Sequence, residues 1–330
     1  MTELIEIVQL LRSFDGITRK YVLPRIIRRL REQSYKGNTP HSLGEDSAAI
    51  GTESDEIVLL TTDAIVEDLC LHHPKAAGFN VVLANVMDIY AAGGRPTSFA
   101  VALSYADEGI GDEILEGLIE GSHTFQVPVV RGHTNPQSSS TYIVGSATGT
   151  VKRENLLTSG GALEGDSLLL IYDPTGKRGS SYQLGWDTVT DRDPTSVVAR
   201  LNVMTHLAEE GFLSASKDVS VAGLAGTASM LVEYSGMGGI IDLDLVDATR
   251  PRSISLVDWI RMFISLGFLV AAPAQNAEEI ALVAKQHDMT VAKIGVVNSS
   301  RALVLQKGGK RETLFDFSSG PIITPKGLEN

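Results

Sequence analysis

The chain has 330 residues, 43% hydrophobic and 21% charged, with a formal net charge of −12. That length exceeds one ordinary core and implies two domains, and the composition is that of a globular chain, not a disordered or fibrous one. The acidic balance excludes a general nucleic-acid surface but not a nucleotide, whose phosphates reach acidic side chains through metal ions.

The first 33 residues predict one or two helices. MTELIEIVQLLRSFDG carries acids at Glu3 and Glu6 and no basic leading region, so it reads as an amphipathic helix, not a signal peptide. No apolar run reaches the ~18–20 residues of a membrane span, and the cytoplasm is the expected location. Arg25, Arg28, Arg29 and Arg31 give the second helical stretch a basic, solvated face. Residues 35–43, rich in Gly, Asn, Pro and Ser, predict a loop long enough to close over a ligand.

GEDSAAI (44–50) leads into a strand at 56–66, a helix at 81–96, a strand at 98–105, a helix at about 111–125 and strands at 127–134 and 141–151. This ββαβαββ alternation makes one α/β-type domain, residues 1–152. A connection, ENLLTSGGALEGD, opens a second α/β domain, residues 153–330. Its strands are expected at 167–173, 238–246, 267–272, 291–297 and 302–306, and its helices near 196–210, 223–234, 256–263 and 277–286. A loop occupies 174–194, and the chain after Gly308 reads as loosely structured.

Within the helix VVLANVMDIYAAGGRP (81–96) almost no polar face remains, so packing should surround it. Asn85 and Asp88 interrupt it three positions apart, on one face. An unpaired buried carboxylate costs several kcal/mol or takes up a proton, so Asp88 needs a partner.

Four further groups sit at element ends: Glu45-Asp46, Thr62-Asp63, His133 and Asp218. Hard cations take oxygen ligands from several loops and share them with phosphates. Taken singly, Asp46 reads as a turn residue and Asp63 as a helix cap. No nucleotide-binding GxxxxGK[ST] or GxGxxG occurs, and no GxSxG elbow. With one cysteine, Cys70, a disulfide and a thiolate zinc site are excluded, and His72-His73 beside it lack further ligands at a regular spacing.

In this order and at these spacings, the five groups resemble the superfamily of aminoimidazole ribonucleotide synthetase, thiamine-monophosphate kinase, selenophosphate synthetase and the hydrogenase maturation protein that dehydrates a carbamoylated thiol. GEDSAAI is similar to GDDAAVI, LLTTDAIVED to TTDMLVEG, and NVMDIYAAGGRP to NLSDIAAMGARP; RGHT is similar to GGHT, and KDVSVAGLAG to RDPTRGGLAT. FDGITRK (14–20) and WDT (186–188) resemble an uncharacterised branch related to methanogenesis marker protein two.

The resemblance implies two α/β domains, a homodimer formed through the N-terminal sheets, and ATP with Mg²⁺ held by acidic loops. Asp46, Asp63, Asp88 and Asp218 would be metal ligands. Glu45, Thr62, Asn85, Gly132 and His133 would join them around the nucleotide, and Asp63, Asp88, Asp218 and His133 would serve catalysis. The departures bear on the activity. Cys70 replaces a kinase His, Thr158 the Arg of LLRSG, and Val221 the second Asp of DVSDG; the reactive N-terminal Cys or selenocysteine of selenophosphate synthetases has no counterpart. The expectation is ATP- and Mg²⁺-dependent phosphotransfer or phosphoryl activation of a small molecule, with no nucleic-acid or membrane partner. The alternatives are a catalytically silent ATP-binding scaffold and a metal-dependent phosphate-ester hydrolase.

Overall fold

The computed structural model describes residues 3–35 and 42–324. Most of the loop expected at 35–43 lies outside the described residues. Three helices open the chain: α1 (Glu3–Ser13), α2 (Asp15–Thr18) and α3 (Leu23–Gln33). The first unit then runs β1 (Ala48–Ile50), β2 (Glu56–Ala64), α4 (Glu67–His72), α5 (Pro74–Ala91), β3 (Arg95–Ser104), α6 (Glu108–Thr124), β4 (Val129–Asn135) and β5 (Tyr142–Lys152).

Its strands form one sheet in the order β1-β2-β5-β3-β4, antiparallel except for the β3–β4 pair. Helices α5 and α6 cover one face. They meet backbone to backbone: a Cβ on Gly78 would stand 1.9 Å from the Ile114 carbonyl oxygen, and one on Gly117 1.9 Å from that of Lys75. With α6 on one side and β2, β5 and β9 on others, α5 has no polar face to spare. Gly93, at φ +79°, ends it, its N–H reaching Tyr90 O and that of Gly94 reaching Ile89 O. The other face of the sheet is open. Along β2, Ile57 and Leu59 are buried against the helices, whereas Val58 and Leu60 remain 42% and 39% exposed.

The second unit continues with β6 (Ser167–Tyr172), β7 (Lys177–Arg178), β8 (Gly185–Asp187), α7 (Pro194–Glu209), β9 (Ala215–Asp218), α8 (Gly223–Tyr234), β10 (Gly238–Asp242), α9 (Leu243–Thr249), α10 (Leu256–Trp259), β11 (Phe263–Ile264), β12 (Gly267–Ala272), α11 (Ala277–Gln286), β13 (Thr290–Asn298), β14 (Ala302–Lys307) and β15 (Lys310–Asp316). A seven-stranded sheet, β15-β14-β10-β13-β6-β12-β9, is its centre; β11, β8 and β7 make a small second sheet. One face of the large sheet packs Leu168 and Leu305 with Leu231 of α8 and with Leu4, Ile7 and Leu11 of α1. The other face packs Leu169, Ile171 and Phe268 with α7 and with Val81 and Met87 of α5. That second core joins the two units.

Several elements differ from expectation, for long-range reasons. Helix α1, expected with the first unit, belongs to the second sheet: Arg12 Nε donates to Leu314 O at 3.0 Å and its Nη2 to Thr313 O at 2.8 Å. The segment after Gly308, expected to be loose, contains edge strand β15, which α1 covers. The strand expected at 238–246 stops at Asp242, whose Oδ1 accepts from Asp244 N at 2.9 Å and caps α9. The helix expected at 256–263 ends at Trp259, and α4 and β9 had no counterpart in the pattern.

Candidate functional site

Both units supply acids to one place. Asp46 lies in the turn before β1, Asp63 one residue from the end of β2, Asp88 in the last turn of α5, and Asp218 at the end of β9. Because α5 packs on β9, Asp88 and Asp218 meet. One carboxylate oxygen from each of Asp46, Asp88 and Asp218 lies within 4.8 Å of the others. Thr61 Oγ1 donates to Asp88 Oδ2 at 2.5 Å, Ser47 Oγ donates to the Asp88 backbone oxygen at 3.1 Å, and Asp63 shares a hydrogen bond with Asp88.

Two lysines stand among these acids. The Lys217 side chain, 5% exposed, donates to Asp46 Oδ1. Lys20 follows α2 and feels the charges of Asp218, Asp63 and Asp46. The packing of α2 fixes its approach: a Cβ on Gly16 would lie 2.1 Å from the Val221 carbonyl oxygen, in the loop after β9.

Crowding of like charge in a dry place shifts the titrations. Burial, then the charges of Asp63, Asp218 and Asp46, push Asp88 well above the usual carboxylate range. Burial and the Asp46 charge push Asp218 up to about 7, against the pull of Lys217. Burial raises Asp63, with the Asp88 hydrogen bond and Lys20 opposing. Burial and the neighbouring Lys217 lower Lys20. For Lys217, burial pulls downward, but the charge and hydrogen bond of Asp46, with Glu45 and Asp218, outweigh it and the ammonium is held.

Asp46 Oδ2 is buried without a hydrogen-bond partner. Asp46 borders a cavity of about 40 Å³ that Ser47, Ala92, Leu157 and Ser216 also line, and Ser216 Oγ is likewise buried and unpartnered. An orphaned carboxylate oxygen within a group of three convergent carboxylates is a donor set that fits a hard divalent cation.

Of the other expected residues, Glu45 lines the same cavity as Asp46. Glu45 Oε2 accepts from Ser159 N at 2.7 Å and Ser159 Oγ at 2.5 Å, so its carboxylate ties the first unit to the second. Asn85 is fully buried; its Nδ2 donates to Val81 O at 2.8 Å while Oδ1 has no partner. Thr62 lies on the open face, bonded to Gly145 O and Ser146; strand alternation turns its neighbour Thr61 to Asp88 instead. Gly132 and His133 occupy the exposed edge strand β4. His133 pairs with Ala102, which pairs with Val144, which pairs with Ala64, so His133 stands three strands from β2 and away from the four acids of this chain. Lys20, Lys217 and Thr61 join the site without having been singled out. A lysine inside a strand whose four residues are all buried needs a partner by the same reasoning that marks Asp88.

Residues 44–151 match the N-terminal domain, and residues 156–308 the C-terminal domain, of AIR synthase related proteins. The chain belongs to that family. An uncharacterized protein, MJ0640, of Methanocaldococcus jannaschii is 32% identical over 314 residues, covering 94% of this chain and 96% of the relative. Thiamine-monophosphate kinase of Pyrococcus abyssi is 34% identical over 140 residues, 40% of this chain and 44% of the kinase. Thermotoga maritima PurL complexed with ATP has the same fold, with a TM-score of 0.78 at 18% identity; it aligns with all of this chain, which spans 53% of the PurL chain. Residues 1–43 precede the first family domain, so Lys20 reaches the acids from outside it. Among the described residues no helix is long and apolar enough to cross a membrane.

Proposed function

We propose that the protein catalyses ATP- and Mg²⁺-dependent phosphotransfer, or phosphoryl activation, of a small molecule at the junction of its two units. The observation that carries this reading is the convergence of Asp46, Asp88 and Asp218 from both units, with one oxygen of Asp46 buried and unpartnered. The kinase relative and the ATP-bound PurL structure support the class of reaction.

In this reading Asp46, Asp88 and Asp218 would hold Mg²⁺, with Asp63 beside them. The ion would neutralise phosphate charge as it develops during transfer. Thr61 and Ser47 fix Asp88 by its side chain and its backbone. Lys20, carried on the N-terminal segment, brings a positive charge for phosphate oxygens. We assign residues 1–152 as the nucleotide and pairing domain, with α1 docked on the other unit, and residues 153–330 as the second domain. A homodimer through the open face of the first sheet is part of the proposal: Val58, Leu60, Val129 and Val130 are exposed there or at its edge, and the PurL chain is about twice as long.

Phosphorus NMR on protein, ATP, Mg²⁺ and a panel of small acceptors tests the reaction. ADP or AMP is expected with at least one acceptor and with none in EDTA. Val221, where the kinases place a second Asp, favours the second reading, a catalytically silent ATP-binding protein; unchanged ATP in every mixture would favour that reading. Phosphate released from an ester without ATP would indicate hydrolysis.

A further inference from the structure

Lys217 has no task in the reaction just described, yet among the ion pairs of the described residues it is the least exposed lysine or arginine, ahead of Arg200. Its side chain is 5% exposed, and its backbone is locked in β9 by pairing with Leu269 of β12. Its ammonium donates to Asp46 Oδ1. The second oxygen of the same carboxylate, Oδ2, is the buried atom left without a partner. The two oxygens of Asp46 are therefore in different settings: one accepts from an ammonium, the other has no hydrogen-bond partner.

We propose that Lys217 is a positioning residue that makes Asp46 a one-oxygen metal ligand and so selects Mg²⁺ over Ca²⁺. This rests on the reading that Asp46, Asp88 and Asp218 hold a divalent cation. Ca²⁺ takes six to eight oxygens and readily accepts a carboxylate through both; Mg²⁺ requires a compact octahedron with single-oxygen contacts. With Oδ1 engaged by the Lys217 ammonium, chelation through both oxygens competes with that ion pair, and single-oxygen contact through Oδ2 is favoured. Lysine suits the task better than arginine, because a guanidinium fork engages both carboxylate oxygens at once and would cover Oδ2 as well.

The test measures displacement of Mn²⁺ by Mg²⁺ and by Ca²⁺, with free Mn²⁺ followed by EPR. It compares the full-length protein with Lys217→Met and Lys217→Arg, each checked for native circular dichroism. Groups that orient a metal ligand typically change metal affinity by about 10- to 100-fold. Lys217→Met should shift the Ca²⁺-to-Mg²⁺ affinity ratio at least about tenfold toward Ca²⁺; loss of positive charge alone would raise both affinities together and leave the ratio unchanged, which would overturn the assignment. Lys217→Arg keeps the charge and the ion pair, and should weaken both metals about tenfold. Wild-type affinities in that variant would likewise overturn the assignment, even if the methionine variant failed to fold. Failure of the wild-type protein to bind Mn²⁺ at all would instead remove the metal-site reading itself.

Discussion

Replacing Asp218 with Asn should stabilise the metal-free protein, and by more at high pH than at low. The two side chains have nearly the same shape, so no cavity opens. Burial and the Asp46 charge raise the Asp218 carboxyl from 3.8 to about 7. In the folded chain it therefore keeps a proton that the unfolded chain has lost across that interval. The stability associated with the protonated form is complete below the unfolded value and gone once pH passes the folded one. The interval is worth roughly 4 kcal/mol at 1.36 kcal/mol per pH unit. At about pH 8 the wild-type chain bears all of that cost, at about pH 5 less than half, and asparagine bears none at either. With roughly 2–4 °C of melting temperature per kcal/mol for large domains, the variant should melt several degrees higher at the upper pH in EDTA, with a much smaller gain at the lower. Differential scanning calorimetry at the two pH values decides it. An equal change at both, or a destabilisation that deepens as pH rises, would refute the electrostatic reading of this cluster.

Two further substitutions probe the framework of the site. Thr61→Val removes the 2.5 Å hydrogen bond to Asp88 and should cost about 1.5–3 kcal/mol in denaturant unfolding, whereas Thr62→Val on the open face should stay within about 0.5 kcal/mol; equal effects would contradict the strand register. Gly78→Ala places a methyl 1.9 Å from the Ile114 carbonyl oxygen and should lower stability by at least about 1–3 kcal/mol, since α6 or α5 must move; an unchanged melting temperature would contradict the close helix contact.

Much of the fold was legible because most of the elements announce themselves locally. The run from Val81 ends in paired glycines, and α8 and α11 occupy the residues their patterns predict. Asp88 was legible for a different reason: a carboxylate with no polar face to share is an energetic contradiction wherever it occurs. What stayed hidden depends on contacts distant in sequence. Nothing in residues 3–13 reveals that α1 will cover β15, some three hundred positions away, and KRETLFD becomes a strand only beside β14. Thr61 and Thr62 are equivalent in composition, and only the direction of the first sheet's alternation separates them. Lys217 carried the same contradiction as Asp88, but the strand that buries it was not recognised, so the contradiction did not show. His133 illustrates the converse. Its motif resembles the family's, yet its strand lies at the far edge of the sheet, so any part it takes in the site would have to come through the pairing of two chains.

The most direct test of the site is calorimetric titration of ATP into the wild-type protein and Asp88→Asn, each with Mg²⁺ and with EDTA. In the variant the raised, buried carboxylate becomes a neutral amide of similar shape, so the fold should persist while a metal ligand is lost. The expected result is ATP binding that requires Mg²⁺ in the wild type and weakens at least about tenfold in the variant. Binding of equal strength in EDTA, or in Asp88→Asn, would contradict a metal-bridged nucleotide at these carboxylates.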